Sequence, residues 1–336
     1  QLLFSTRPHL QRLNMKKLLN TVCAAALMVL SLGAAQAQTY PSKPVKIVVP
    51  FAPGANTDLL ARMYAQVIGE ALNQRVLVEN KPGSGTNLAA EYVARSAPDG
   101  YTLLTVFSTH AMSAELFKKL PYDPIKDFIP VSLTIQSPLV LLINPSLPIN
   151  NFKEFVAYAK ANPNKLNYGS SGQGSAPHLM TEQMNAMAGI KTTHVPYKGV
   201  APITLALVQN EIQFALANIF TTLPMVKAGR LKMIATGGVK RSLLAPEVPT
   251  IAESGLAGYD SVVWYGVLAP AKTPPEIVDE LSREIAIILK KPEIVKTITD
   301  GGNEPVGTTP QQFAAIMSED VKKWGILGRK LGIELE

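Results

Sequence analysis

Two stretches of the chain combine a short apolar run with small and polar residues in the order expected of a strand, a tight loop and a helix. In residues 46–62 the apolar run ends at a proline, and Asn56, Thr57 or Asp58 can cap the helix that follows. Residues 165–178 repeat the pattern with a Gly/Ser-rich loop. Such a loop presents backbone N–H groups and the positive end of a helix dipole, which together favour an anion. If the two loops face each other, they are predicted to hold a carboxylate in one cleft.

The catalytic motifs that begin in this sequence are incomplete. Gly83-Ser-Gly starts like a dinucleotide-binding fingerprint, but Leu88 stands where the third glycine belongs. Gly169-Ser-Ser starts like a nucleophile elbow, but Gln173 stands where the second glycine belongs. No metal-ligand spacing joins the four histidines of the sequence, His9, His110, His178 and His194. We therefore predict a protein that binds rather than transforms, with no catalytic residue, metal or cofactor.

An export signal precedes the first of these stretches. A positive segment, an apolar core too short to span a membrane and an Ala-Gln-Ala cleavage site follow one another in residues 15–37. We predict that this segment is a signal peptide cleaved after Ala37, and that residues 1–14 are an upstream artefact or remnant. The predicted mature protein is periplasmic and has no cysteine, because Cys23 lies in the removed segment.

The charge balance excludes a nucleic-acid partner. The formal net charge of the sequence is +7. Four of the basic residues precede the predicted cleavage site, namely Arg7, Arg12, Lys16 and Lys17. The mature chain therefore keeps only a small positive excess over about 300 residues, with no arginine-rich run or aromatic stacking pattern. We predict no binding to nucleic acid.

Strand and helix patterns alternate through the rest of the chain. Short apolar runs predict strands at 45–49, 76–79, 102–107, 138–143, 165–168, 193–195, 214–217 and 233–236. Helical periodicity predicts helices at 58–72, 88–96, 151–161, 177–188, 202–209, 275–290 and 310–331. Alternation of this kind is typical of α/β layers with mostly parallel sheets. The length of the chain favours two lobes over one.

A series of short motifs, in order along the whole mature chain, resembles the tripartite tricarboxylate transporter receptors, the extracytoplasmic solute-binding family also called Bug proteins. The series opens with PFAPG at 50–54, TD at 57–58 and AR at 61–62. It continues with ENKPGSG at 79–85, APDGYTLL at 97–104, LPYD at 120–123, KDF at 126–128 and VPYKG at 195–199. It ends with KRS at 240–242, VPT at 248–250, WYG at 264–266 and EPVG at 304–307.

The resemblance implies a type II periplasmic-binding-protein fold, in which two α/β lobes close on a ligand like a Venus flytrap. Lobe one would comprise residues 38–137 and 262–336, and lobe two residues 138–261. It also implies a monomeric periplasmic solute-binding receptor. This receptor captures a small organic carboxylate and delivers it to the permease subunits of a tripartite tricarboxylate-type transporter. A ligand-presenting partner of a membrane signalling receptor would bind in the same way, whereas a periplasmic hydrolase is disfavoured.

The resemblance further implies which residues hold the ligand. Family members grip carboxylates with the loop after the first strand and with the Gly/Ser loop of the other lobe, commonly through an ordered water. Carried onto this sequence, lobe one contributes Phe51, Gly54, Ala55, Asn56, Thr57, Asp58, Ser108, Thr109, His110 and Trp264. Lobe two contributes Ser170, Ser171, Gly172, Gly174, Ser175, His178, Tyr197, Lys198, Gly199, Ala217 and Asn218.

Two positions depart from the family pattern. Ala55 and Asn56 follow Gly54, where the family has a second glycine, so the backbone there is less free and an amide is added. Ala217 stands where many members carry an aspartate before Asn218. Because that carboxylate would be a natural partner of an amino group, its loss favours amine-free mono- or dicarboxylates, including aromatic ones, over amino acids.

Several of these residues also fit purely structural roles. Arg62 lies four residues after Asp58 and fits a helix-face ion pair. His178 opens a helix and fits a capping role as well as a ligand contact. Lys198 fits a solvated surface lysine. Trp264 and Tyr265 either line the cavity or belong to the core.

Overall fold

The computed structural model describes the chain from residue 40 onward, at residues 40–51, 53, 56–83, 86–112 and 114–335, without the side chains at 56, 57, 67 and 71. The chain divides into two units, Gln1–Ser42 and Lys43–Glu336, and the fold below is that of the second. The predicted signal peptide, its cleavage site after Ala37 and Cys23 lie outside the described residues. Within the described residues, no helix combines the length and the apolar character needed to cross a membrane.

Ten strands form the sheet structure of the described chain. In chain order they are β1 (Val45–Val49), β2 (Val76–Asn80), β3 (Thr102–Phe107), β4 (Phe128–Ile143), β5 (Asn167–Ser170), β6 (Thr193–Pro196), β7 (Phe214–Asn218), β8 (Lys232–Thr236), β9 (Val262–Pro270) and β10 (Glu304–Pro305). Their order in space is β2-β1-β3-β9-β4-β7-β5-β6, with β8 and β10 paired to β4.

Ten helices in the described residues cover these strands. In chain order they are α1 (Asn56–Ala71), α2 (Asn87–Ala94), α3 (Thr109–Met112), α4 (Phe152–Ala161), α5 (Ala176–Ala188), α6 (Val200–Val208), α7 (Ile219–Lys227), α8 (Pro275–Ile288), α9 (Pro292–Asp300) and α10 (Pro310–Lys330). Their starts follow local capping chemistry. The Asn151 side chain accepts from the Glu154 N–H, and Thr309 with Gln312 forms a full capping box.

Two sheets meet along the long strand β4. Residues 128–138 of β4 pair with β9, and residues 139–143 pair with β7, with β8 joining alongside. We call the strands β1, β2, β3, β9 and β10 with residues 128–138 the first sheet. The second sheet consists of β5, β6, β7 and β8 with residues 139–143. The chain thus passes from one sheet to the other without leaving β4.

The prediction of mostly parallel sheets is wrong for the centre of the molecule. β1 is parallel to β2 and β3, and β5 is parallel to β6 and β7, as βαβ units require. In contrast, β9 is antiparallel to β3 and β4, and β4 is antiparallel to β7, β8 and β10. The long strands β4 and β9 run in opposite directions at the centre of the sheet structure. The strands β3, β7 and β8 that pair with them are also antiparallel to them.

The C-terminal helix α10 closes the core of the first sheet. Phe313 packs edge-on against Trp264, with ring centroids 5.1 Å apart. The indole N–H groups of Trp264 and Trp324 both donate to the carboxylate of Asp320, at 2.6 and 3.2 Å. Burial raises the pKa of that carboxyl group. A buried carboxylate destabilises the fold unless it is hydrogen-bonded. The two indole hydrogen bonds offset the free-energy cost of burying Asp320.

The predicted elements are largely confirmed. All eight predicted strands overlap β1 to β8, and all seven predicted helices overlap observed ones. The prediction from sequence missed β9, β10, the first half of β4, and the helices α3, α7 and α9. α7 carries Pro224 in its interior, and prolines inside a pattern argue against a helix. β9 ends at Pro270 and contains Gly266, which obscures its apolar run.

Candidate functional site

A cavity of about 810 Å³ lies between residues of the first and second sheets. The first sheet and its loops contribute Phe51, Phe107 and Tyr265. The second contributes Ser171, Gly199 and one face of helix α6, together with residues around α7. The volume falls within the range of small-molecule sites. Three of the predicted ligand-binding residues, Phe51, Ser171 and Gly199, therefore line one cavity although more than a hundred residues separate the first from the other two.

Asp58 orders the loop that carries Phe51. Its buried carboxylate accepts from Arg62 Nε at 3.0 Å and from Asn80 Nδ2 at 2.8 Å. The same Asn80 amide also donates to the Phe51 carbonyl at 2.9 Å. Asn80 thereby ties the end of β2 to the loop after β1. Arg62 therefore takes part in the ion pair that the helix spacing predicted, and both side chains act on the loop rather than in the cavity.

The remaining predicted residues of this loop are described in part. Gly54 and Ala55 lie outside the described residues, and Asn56 and Thr57 are described only as the backbone of the first turn of α1. The predicted contacts of these four residues with a ligand stay predictions.

The Gly/Ser loop after β5 is held by its own hydroxyl groups. Ser170 Oγ accepts from the Gly172 N–H at 3.2 Å, and Ser175 Oγ donates to the Gly172 carbonyl at 2.7 Å. Gly172 and Gly174 have φ of 127° and 74°, which L-residues with side chains rarely adopt. A Cβ at Gly174 would lie 2.5 Å from Leu335 Cδ1. The loop thus needs glycine at 174 for two reasons, backbone conformation and close packing, while Ser171 stays exposed at the cavity.

Two stacked histidines lie beneath this loop. His178 Nδ1 accepts the Gly174 N–H at 3.0 Å, and His194 Nε2 lies 2.6 Å from Ser170 Oγ. The two rings stack with centroids 4.0 Å apart. Burial lowers the pKa of His178 to about 3, helped by the neighbouring His194, and lowers the pKa of His194 to about 4. Both imidazoles are therefore neutral near pH 7 and support the loop as hydrogen-bonding groups, without adding charge to the site.

The predicted group at the end of β3 has structural partners. Ser108 Oγ accepts the Trp264 N–H at 2.8 Å and so extends the β3–β9 pairing. His110 is buried, and its Nε2 donates to the Pro124 carbonyl at 2.9 Å. Burial lowers the pKa of His110 to about 4. Thr109 Oγ1 accepts the Ala176 N–H of α5 at 3.2 Å, a bond that joins the two halves of the chain beside the Gly/Ser loop.

The segments after β6 and β7 are divided between cavity and core. Gly199, with φ of 104°, is the N-cap of α6 and lines the cavity. Lys198 is exposed and lies outside the lining. Tyr197 is partly buried and packs against the core of the second sheet. Asn218 caps α7 by accepting the Phe220 N–H at 2.9 Å. The Asn218 amide also donates to Ser137 Oγ on β4 at 2.5 Å.

Ala217 does not reach the cavity. Its side chain is buried in the core of the second sheet, and its backbone pairs with Val140 of β4. The expected preference for amine-free ligands therefore does not rest on this position. It rests instead on the cavity itself, because no described residue of its lining carries a carboxylate, and the charged group there is Arg230.

The neighbours Trp264 and Tyr265 point to opposite faces of β9, as successive strand residues must. Trp264 is buried in the core against Phe313, and Tyr265 lines the cavity. We therefore leave Trp264, His110 and Ala217 out of the proposed site and add Tyr265. The prediction also missed the other lining residues, which are Phe107, Val200, Ala201, Thr204, Leu205, Val208, Thr221, Met225 and Arg230. Phe107 ends a predicted strand and could have been found from that position, whereas Arg230 follows no pattern.

Two helix starts contribute to the polar part of the cavity. Gly199 caps α6 at the lining, and Thr221 in the first turn of α7 also lines it. Helix N-termini carry unpaired N–H groups and roughly half a positive charge. Within the described residues, no three His, Cys, Asp or Glu side chains are placed to hold a metal ion. The two helix starts and Arg230 give the cavity a positive electrostatic character that suits an organic anion.

The fold is that of a two-lobed periplasmic binding protein, as in BugD, a periplasmic binding protein whose structure matches this one with a TM-score of 0.76 at 32% identity. The chain belongs to the tripartite tricarboxylate transporter family receptors. The model of that family matches residues 60–333. Protein BugT of Bordetella pertussis is 32% identical over 96% of this chain and 100% of its own length.

Solved structures agree with this assignment. An R. palustris protein determined with adipate has a TM-score of 0.79 at 34% identity, covering 88% of this chain and 99% of its own. MatC from Rhodopseudomonas palustris, determined with bound malate, has a TM-score of 0.75 at 32% identity, covering 86% and 99%.

Replacing Asn80 by Ala should loosen the β1–α1 loop. The change removes the amide bonds to the Phe51 carbonyl and to Asp58, and leaves a buried carboxylate with one partner fewer. We expect the free energy of unfolding to fall by about 1–3 kcal/mol in urea denaturation. Gln66→Ala is the control, because it removes one exposed side-chain hydrogen bond on α1 and should change the free energy of unfolding by less than about 0.5 kcal/mol. Equal losses in the two variants would contradict this role of Asn80.

The paired histidines predict a stability that declines on acidification. Both pKa values are about 3–4 in the folded chain and 6.5 ordinarily, so the unfolded chain binds protons that the folded chain does not. The free energy of unfolding should fall as the pH drops from about 6.5 towards about 4. His194→Gln should remove on the order of 2 kcal/mol of that fall, while the slope due to His110 remains. A pH profile of His194→Gln that superimposes on the parent profile would contradict this assignment.

Proposed function

We propose that this protein is a periplasmic receptor that captures a small organic carboxylate between two lobes and hands it to the membrane permease subunits of a tripartite transporter. The first lobe would comprise residues 38–137 and 262–336, and the second residues 138–261. This division is supported by β4, whose pairing changes from β9 to β7 between Pro138 and Leu139.

The observation that carries the proposal is the cavity between the two sheets. It brings together Phe51 from the loop after β1, Ser171 from the Gly/Ser loop and Gly199 at the start of α6. Gly199 is the N-cap of α6, where backbone N–H groups favour a carboxylate, and Phe51 and Ser171 lie in the loops that lead into α1 and α5. The adipate and malate found in the related structures are carboxylates, which supports the same ligand class here.

A receptor needs no catalytic step. The Ser170–His194 pair resembles a nucleophile and its base, but its surroundings fit a structural role. Ser170 Oγ and His194 lie within hydrogen-bonding distance, but Ser170 is fully buried and its hydroxyl also contacts Gly172. A substrate would have to displace the loop to reach it. The pair therefore fits a support for the Gly/Ser loop.

Binding is expected to shift an equilibrium between open and closed lobes. The contacts of a ligand with both loops exist together only when the lobes approach, so the ligand stabilises the closed form. β4 and β9 connect the lobes, and bending at these strands would change the width of the cavity. The monomeric state and docking to the permease are parts of the proposal that rest on the family resemblance. Export rests on the signal-peptide pattern of residues 15–37.

Calorimetric titration of the full chain with a panel of carboxylates tests the proposal. The panel should contain citrate, succinate, adipate, aspartate, nicotinate and benzene carboxylates, each paired with its primary amide. At least one acid should bind and raise the melting temperature, while its amide does not. Ser171→Ala should weaken that acid roughly tenfold, whereas Ser96→Ala, on a helix end outside the cavity, should not. Absence of binding by every acid would overturn the proposal.

A further inference from the structure

Helix α6 is apolar on both of its faces. Ile203, Ala206 and Leu207 are buried in the core of the second sheet. The opposite face includes Val200 and Leu205, which are 42% and 56% exposed and line the cavity. A surface helix normally turns a polar face outward, and exposed apolar patches mark binding sites. This second apolar face of α6 therefore fits an apolar part of the ligand.

An aromatic surface from the first sheet completes the apolar lining. The rings of Phe51 and Phe107 lie 5.2 Å apart between centroids, and those of Phe107 and Tyr265 lie 6.5 Å apart and nearly parallel. The three rings come from the first sheet and its loops, whereas α6 belongs to the second. A flat ring between two such surfaces gains both burial and offset or edge contacts with the aromatic side.

The cavity extends along the full length of α6. Val200, Thr204 and Val208, one helical turn apart, all line it, which corresponds to about 12 Å at a rise of 1.5 Å per residue. Ser171 and Gly199 lie at the beginning of this helix. Met225 and Arg230 join the lining, and the Arg230 N–H donates to the Met225 carbonyl at 2.9 Å. The chain reaches Met225 and Arg230 only through α7, so they form a lining segment separate from the Gly/Ser loop.

Arg230 supplies the positive charge of the cavity. Its side chain is exposed, and no described carboxylate lies within 4 Å of its guanidinium group. Guanidinium groups bind carboxylates through two parallel hydrogen bonds. The cavity thus offers two kinds of anion partner. One is the Ser171 hydroxyl together with the N-terminal end of α6 at Gly199, and the other is the guanidinium group of Arg230.

We propose that the cavity takes an aromatic carboxylate, with the ring between α6 and the Phe51–Phe107–Tyr265 surface and a second acidic group on the ring at Arg230. This inference rests on the proposed function and narrows its ligand class. We expect a rigid aromatic acid to bind more tightly than a small acyclic acid, a hydroxy acid or an amino acid. Each of the latter three would leave the apolar face of α6 in contact with water. Arg230 is then a specificity-determining residue.

Affinity ranking tests the ring. Calorimetric titration of the full chain should compare terephthalate and benzoate with succinate, malate and aspartate. Terephthalate should bind most tightly, and benzoate more tightly than any of the three acyclic acids. Tighter binding of succinate, malate or aspartate would overturn the aromatic assignment and leave the carboxylate receptor standing. Absence of binding by all five acids and by the wider panel would instead overturn the proposed function.

Variants test the two surfaces separately. Leu205→Asn should weaken terephthalate and benzoate by roughly tenfold each, because one buried contact of a leucine side chain is lost. Leu243→Asn is the matched control, since Leu243 is exposed and lies outside the cavity. Equal affinities of the Leu205→Asn and parent proteins would overturn the placement of the ring on α6.

Arg230→Gln should weaken terephthalate by about tenfold or more and leave benzoate within about twofold, because only terephthalate carries the second acidic group. Lys227→Gln is the charge-matched control, at the end of α7 and outside the lining. A uniform loss for both acids, or no loss for either, would overturn the role given to Arg230. Circular dichroism of each variant verifies that the fold is retained.

Discussion

The antiparallel pairing of β4 with β9 is the constraint on which the rest of the structure depends. It runs from Phe128 paired with Pro270 to Pro138 paired with Val262, and β4 then continues into the second sheet. The strand-end loops of both sheets are therefore placed around one cavity by backbone hydrogen bonds. Phe107 and Tyr265, paired with each other across β3 and β9, show how directly the pairing sets the lining.

The loops themselves are ordered by buried and half-buried polar groups that are hydrogen-bonded to one another. Asp58 and Asn80 hold the loop after β1, while neutral histidines and serine hydroxyls hold the Gly/Ser loop. A buried polar group is costly when it lacks a partner, so each of these networks favours one loop conformation. Ser171, the N-terminal end of α6 and Arg230 lie at the cavity as candidate anion partners. The site thus separates the residues that position the loops from the groups that meet a ligand.

Most of the fold and part of the site could be predicted from the sequence. Apolar runs located β1 to β8, and the strand–loop–helix patterns of residues 46–62 and 165–178 located the two loops, because both signals are local. The direction in which a side chain points depends on tertiary packing, which is not a local signal. Alternation along β9 required that one of Trp264 and Tyr265 face the core, but only the packing of α10 decided which. Likewise Ala217 is buried by neighbours from α6, and Arg230 reaches the cavity through a turn that no motif marks.

A crystal structure of the protein with its tightest-binding acid tests the central claim most directly. The account predicts a ligand between the two sheets. One carboxylate should lie within hydrogen-bonding distance of amides, directly or through a water, near both the loop after β1 and the Gly/Ser loop, and the ligand body should lie against α6. A ligand bound to one sheet alone, or seated away from Phe51 and Ser171, would contradict it.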